Sequence, residues 1–202
     1  MRAFLLALFS AALLCTAAHA DTVEVAGVKY DTTADVGGQR LVLNGAGIRY
    51  KAFFKIYTAG LYLPMKADLT EAALAEPGAK RLHIVALRDI PGDLLGKLFS
   101  EGIEANSTHD EFVRSIDGVL KVAKLFATKQ ELAKGEEFSV DYIPGTGSVI
   151  SINGKRTGDV IKEPEFYNAL LRIWLGKQPA DNGLKKALLG QTKPHQRTDA
   201  DQ

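Results

Sequence analysis

Arg49 and Tyr57 are the pair whose types and spacing suit recognition of an anion. Arg49 stands between Gly47-Ile48 and a run of aromatics, within the stretch LVLNGAGIRYKAFFKIYTAGLYL at residues 41–63. An arginine on a strand turns inward only where an anion or several acceptors meet its guanidinium, because a buried cation without partners is costly. Tyr57 falls on the next predicted strand, so a hairpin would point both side chains into one space. A guanidinium fork and a phenol together bind a carboxylate or a phenolate oxygen. The alternative is a surface arginine beside a tyrosine in ordinary strand packing, and spacing by itself favours it.

Other chemistries lack their residues. Beyond the first 20 positions the histidines are His83, His109 and His195, far apart and in no metal-ligand spacing. His109-Asp110-Glu111 sits at a predicted helix start, where acidic residues serve the helix dipole. There is no G-x-S-x-G elbow and no phosphate loop. Gly45-Ala46-Gly47 is followed by neither a third glycine nor a helix, so a bent strand accounts for it better than a phosphate cradle. No metal and no cofactor are expected.

The opening MRAFLLALFSAALLCTAAHA has the layout of a secretory signal: Arg2, an uncharged apolar run over 3–14, then Ala18-His19-Ala20. That run is too short for a permanent membrane span. Cleavage is expected after Ala20, giving a periplasmic or secreted chain of 182 residues, the 202 less the first 20. Cys15, the one cysteine, lies inside the signal. Its lipidation would need a small residue before it, and Leu14 does not fit. The mature chain would then have no thiol and no disulfide. Removing Arg2 from the 25 basic residues leaves 24 against 24 acidic ones, which gives no electrostatic case for a nucleic-acid partner or for an anionic membrane surface. No second long apolar stretch follows, so no integral membrane segment is expected after cleavage. Oligomeric state is not legible.

These residues must be positioned by an α+β domain over 21–190, ahead of a polar, disordered tail at 191–202. Strands are predicted over 23–29, 40–44, 48–50, 53–63 and 81–87, with a polar loop over 30–38 ending in the Gly37-Gly38 turn. Gly60 implies a bulge or a close backbone approach. A short helix is expected at 70–75. Leu94, Leu95, Leu98, Phe99 and Ile103 recur at helical spacing, and a second helix follows from an N-cap at Thr108 or Asp110. A helical turn is expected over 129–134. Strands return over 137–143, 148–153 and 159–161, and helices close the chain from Pro164 to Gly176 and over 184–189. Strands joined mainly by turns imply a largely antiparallel sheet with helices packed on one face.

The 41–63 block resembles the chalcone isomerase-like family, whose members carry Gly-x-Gly-x-Arg and then Phe-x-Lys-x-x-x-x-Gly-x-Tyr-Leu. Here these are Gly45-Ala46-Gly47-Ile48-Arg49 and Phe53 to Leu63. Residues 135–159 and 164–176 resemble the family's late strand pair and C-terminal helix. The resemblance implies an antiparallel sheet backed by helices, with a ligand cleft between them. It also implies that Arg49 matches the arginine holding the substrate phenolate in the plant isomerases. Two groups of that chemistry are missing. Tyr57 stands where those enzymes carry a threonine, and Thr58, one residue on, faces the other way on a strand. The catalytic tyrosine would fall near 94–98, where none occurs.

Arg49 with Tyr57 instead resembles the non-catalytic, fatty-acid-binding branch, where such a pair holds a carboxylate at the closed end of an apolar cavity. The leading expectation is therefore an exported binding protein for a small amphipathic acid. Arg49, Tyr57 and Thr58 are its candidate site residues, with Lys97, Asn106 and Tyr167 as further candidates around the cleft. One alternative is an intramolecular lyase of the chalcone–flavanone isomerase type, with Arg49 as its polarising cation. Another is an envelope interaction module without a small ligand, its cleft filled by side chains such as Phe54, Phe99 or Trp174.

Overall fold

The computed structural model describes residues 21–192. The predicted signal lies outside them, as does the tail from 193 onward. The chain runs β1 (Thr22–Val25), β2 (Val28–Asp31), β3 (Thr33–Val36), β4 (Gln39–Lys51), β5 (Phe54–Leu63), α1 (Thr70–Ala75), β6 (Lys80–Ala86), β7 (Ile90–Pro91), α2 (Gly92–Ala105) and α3 (His109–Lys129). It continues through β8 (Glu131–Leu132), β9 (Glu137–Ile143), β10 (Gly147–Ile152), β11 (Lys155–Arg156), α4 (Phe166–Leu175) and α5 (Asn182–Leu188). Seven strands form one antiparallel sheet in the order β11-β10-β9-β6-β5-β4-β3. This is the α+β, largely antiparallel architecture expected from the sequence.

Side-chain alternation along β5 divides the core in two. Tyr57, Ala59, Leu61 and Leu63 join the cluster made with the helices, where α4 buries nearly every residue. Tyr62 points the other way, into a smaller cluster with Tyr30, Leu41 and Leu43 under the β1–β2 hairpin. That hairpin covers the sheet face opposite the helices. Gly60 is there because Tyr30 is: a Cβ at residue 60 would lie 2.6 Å from the Tyr30 ring.

The pairing of β4 with β5 decides which way Arg49 faces. Leu43 opposes Tyr62, yet Gly45 opposes Leu61, so Asn44 is an extra residue in β4. A one-residue bulge exchanges the faces to which alternate residues point. Before Asn44, Leu41 and Leu43 face the hairpin cluster; after it, Ala46 and Ile48 do. Gly45, Gly47 and Arg49 are thereby turned to the helix side, opposite Leu61, Ala59 and Tyr57. Asn44 itself is buried, and its amide fixes the bulge. It donates to the Ala67 and Leu188 carbonyls at 2.8 and 2.7 Å and accepts from the Ala67 N–H at 2.7 Å.

The two glycines do not break the strand, one of the outcomes the sequence suggested; β4 is continuous over 13 residues, with its bulge beside them at Asn44. They make a seat for α5. A Cβ at Gly45 would lie 1.9 Å from the Ala187 carbonyl oxygen, and one at Gly47 would lie 2.5 Å from the Ala187 Cβ. Glycine at both positions lets the helix lie directly on the sheet.

Other expectations shift locally. The stretch read as a polar loop over 30–38 contains β3, an edge strand that returns through Gly37-Gly38, both at positive φ. The expected helical turn at 129–134 is instead β8. Gln130 takes φ 69°, α3 stops, and buried Leu132 pairs with Ile90. The expected strand at 159–161 is reduced to one bridge between Ile161 and Ser148, while β11 forms earlier.

Thr108 is the N-cap of α3, in a reciprocal capping box with Glu111. Backbone and side-chain bonds from Thr108, together with Arg172 at 3.2 Å, hold the Glu111 carboxyl below its ordinary pKa. The His109-Asp110-Glu111 run thus serves a helix start. The chain leaving α3 is tied back by Glu136, which accepts from Lys129, the Ala133 N–H and Asn153, and these bonds hold its carboxyl down to about 2.

Candidate functional site

Between the sheet and α2 lies a cavity of about 520 Å³, within the roughly 300–1,000 Å³ usual for small-molecule sites. Its walls are apolar. Ile84 and Phe138 come from the sheet, Leu95 and Phe99 from α2, and Ile173 and Trp174 from α4. Leu94 and Leu98, each partly exposed, carry the α2 wall out to the mouth. Arg49 and Tyr57 line it as well, beside Lys51, Arg88, Asp89, Glu101 and Gln178.

Arg49 and Tyr57 are direct cross-strand partners because the register shifts between Arg49 and Tyr50: Tyr50 pairs with Lys55 and Arg49 with Tyr57, which leaves Ile56 as an extra residue in β5. Tyr57 is buried, and its hydroxyl accepts the Trp174 indole N–H at 2.8 Å. Indole can only donate, so the phenol is the acceptor and keeps its own proton to give. Among the described residues no acceptor takes that proton. Burial pushes the phenol's pKa up, and Trp174 and the adjacent Arg49 guanidinium offset this in part. The net rise keeps Tyr57 a neutral donor throughout the neutral pH range.

Arg49 is held at the rim. Its guanidinium donates to the Tyr50 carbonyl, stands 3.9 Å from the Asp181 carboxylate, and leaves 22% of its side chain exposed. Asp181 is the N-cap of α5: one oxygen accepts from the Leu184 N–H at 2.9 Å, the other from the Tyr50 N–H at 3.0 Å. The glycine seat, the helix and its cap thus fix where Arg49 sits. The arrangement can present one fork of N–H donors and one O–H donor to an anionic oxygen at the edge of an apolar hollow.

The remaining candidates from the sequence are not brought to this place. Thr58 is fully buried on the opposite face of β5, where its hydroxyl accepts from Tyr30 at 2.7 Å; strand alternation puts it there. Lys97 lies on the outer side of α2, 68% exposed and 3.7 Å from Glu101, because helical spacing turns it away from Leu95 and Phe99. Asn106 caps the end of α2 and binds the backbone of Gln178 in both directions, at 2.9 and 2.8 Å. It therefore positions Gln178, which does line the cavity, and does not reach the cavity itself. Tyr167 is buried beside a second, smaller hollow of about 260 Å³ near Lys80 and Tyr142, on another part of the sheet. Burial also pushes its phenol well up.

Among the liners not singled out as site residues are Trp174, Lys51 and Arg88. For Trp174 a signal existed, since an indole on a wholly apolar helix stripe needs an acceptor for its N–H. For Lys51 and Arg88 none did, because a turn and a strand end give no periodicity to read.

No curated protein matches the chain in sequence. Among solved structures, the Arabidopsis thaliana fatty-acid binding protein AtFAP1 superposes with a TM-score of 0.65 at 12% identity, over 85% of this chain and 97% of that one. At that identity the likeness is one of fold. A family model described as chalcone isomerase-like matches residues 22–190. The chain belongs to the chalcone isomerase-like family.

Proposed function

We propose that this protein binds a small amphipathic acid of the fatty-acid type, with its chain in the apolar cavity and its carboxylate on Arg49 and Tyr57. The observation that carries the reading is the pairing of an unspent phenol proton with a rim guanidinium at the end of an apolar space of about 520 Å³. An apolar cavity with a few convergent polar groups is the usual form of a small-molecule site. A carboxylate leaving water needs charge-assisted hydrogen bonds in return, and these two groups supply them. That a structural relative is described as a fatty-acid binding protein supports the same class of ligand. The signal-like first 20 residues favour an envelope or secreted setting, where such a protein would carry or sequester a lipid acid.

A ring-closing isomerase would need groups on the helix wall to hold and turn its substrate. At the positions where the family's tyrosine would fall, the wall offers Leu94, Leu95 and Leu98. Titration with palmitate followed by calorimetry, beside a spectrophotometric assay with 2′-hydroxychalcone, separates the two readings. Saturable binding of palmitate and unchanged chalcone absorbance are expected. Turnover of the chalcone without palmitate binding would replace the carrier reading with the enzyme.

A further inference from the structure

The mouth of the cavity carries a second feature that the binding reading does not use. At the tip of the β4–β5 hairpin, Lys51 pairs with Phe54 across a two-residue turn, Ala52-Phe53, with Ala52 at φ 53°. Phe53 is 79% exposed and Phe54 50%, and Tyr50 beside them is 40% exposed. The Phe53 and Phe54 ring centroids lie 4.2 Å apart, and the Arg88 guanidinium lies 5.2 Å over Phe54. Across the opening, Leu94 and Leu98 are 39% and 45% exposed. Large apolar side chains left exposed together at a cavity mouth mark an interaction site.

The charge around it identifies the partner. Lys51, Lys55 and Arg88 form no ion pair among the described residues. Asp89 and Glu101 also line the mouth, but Asp89 accepts from the Lys134 N–H at 2.8 Å, Asp93 from the Leu94 N–H at 2.8 Å, and Glu101 faces Lys97, so none of these carboxylates is paired with the three bases of the tip. The chain as a whole is almost neutral, at +1, so the attraction is local to this rim. Exposed aromatics flanked by unpaired basic side chains suit the headgroup–acyl boundary of an anionic bilayer. The tip is also held in place, since Tyr50 is bonded through its N–H to Asp181 and through its carbonyl to Arg49.

We propose that the hairpin tip and the α2 edge dock the mouth of the cavity on an anionic lipid surface, from which the acid enters. This rests on the cavity reading above. The test measures docking and acid binding separately, on the protein purified from its own cells. Sedimentation uses vesicles of equal parts phosphatidylglycerol and phosphatidylcholine, and vesicles of phosphatidylcholine alone. Wild type is expected to sediment with the mixed vesicles, and at least about fivefold less with the neutral ones, as loss of even one basic contact to an anionic surface predicts. Phe53→Ser with Phe54→Ser, neither of which lines the cavity, is expected to weaken sedimentation at least about tenfold. Its palmitate affinity in solution should be unchanged. Equal sedimentation of the double variant, or none of wild type, overturns the docking proposal. So does a change in oligomeric state with no vesicle binding, which would make the tip a protein interface. Docking that persists in a protein without palmitate affinity would sink the cavity reading and leave the docking surface standing.

Discussion

Arg49→Ala is expected to lower the affinity for palmitate by at least about 30-fold, the equivalent of about 2 kcal/mol, without unfolding the protein. Removing one partner of a charge pair that is out of water costs about 2–5 kcal/mol, much of it the penalty on the charge left behind. The low end applies because Arg49 keeps 22% of its side chain exposed and so is already partly solvated. The fold should tolerate the change. Arg49 is at the rim, and its neighbours Asp181 and Tyr50 keep their own bond to each other through the Tyr50 N–H at 3.0 Å. Tyr57→Phe makes an instructive contrast. It removes one neutral donor, worth roughly tenfold in affinity. It also strips the Trp174 N–H of its acceptor inside the core, so it should cost about 1–3 kcal/mol of stability as well. Calorimetric titration and thermal melts of both variants check this. Wild-type affinity in Arg49→Ala would remove the guanidinium from the account.

Gly45→Val is expected to have the largest effect on stability, about 3 kcal/mol or more. The backbone there has no room for even one carbon, since a Cβ would meet a carbonyl oxygen of α5 at 1.9 Å. A main-chain atom cannot rotate away, so the helix must lift. Overpacking of this kind costs about 1–3 kcal/mol before the helix loses its contacts. Lifting α5 also withdraws Leu184 and Leu188, both buried, from the core. At about 2–4 °C per kcal/mol for a chain of this size, the midpoint should fall by roughly 6–12 °C. Acid binding should weaken too, because the N-cap of the displaced helix is Asp181, which fixes the strand end bearing Arg49. A melting point within a degree or so of wild type would show that α5 does not rest on these glycines.

The same strand shows how far the sequence could be read. That Arg49 and Tyr57 share a hairpin was legible, because the aromatic and β-branched run after a short turn announces a strand. Their direct pairing was not. It depends on Ile56 being an extra residue in β5, and which side of the sheet they face depends on the second extra residue, Asn44; a bulge leaves no mark in a pattern of alternate residues. The glycines looked like a break because a glycine inside a strand is equally consistent with a bend and with a close neighbour. Only the position of α5, far along the chain, decides between them. The helices were readable from their apolar spacing, and the N-cap of α3 from Thr108 three residues before Glu111. Lys97 lies on α2 and Asn106 at its end, but covering a cleft requires a particular side of the helix. Leu95 and Phe99 take that side. The basic, aromatic mouth was hidden by the balanced total charge. Lys51, Lys55 and Arg88 come together only when the hairpin tip meets the end of β6.

The most direct measurement is a crystal structure of the protein soaked with palmitate. The account predicts the acyl chain between Leu95, Phe99 and Phe138, and the carboxylate within about 3 Å of both the Arg49 guanidinium and the Tyr57 hydroxyl. A carboxylate pointing to solvent away from Arg49, or a cavity that stays empty at saturating acid, would contradict it.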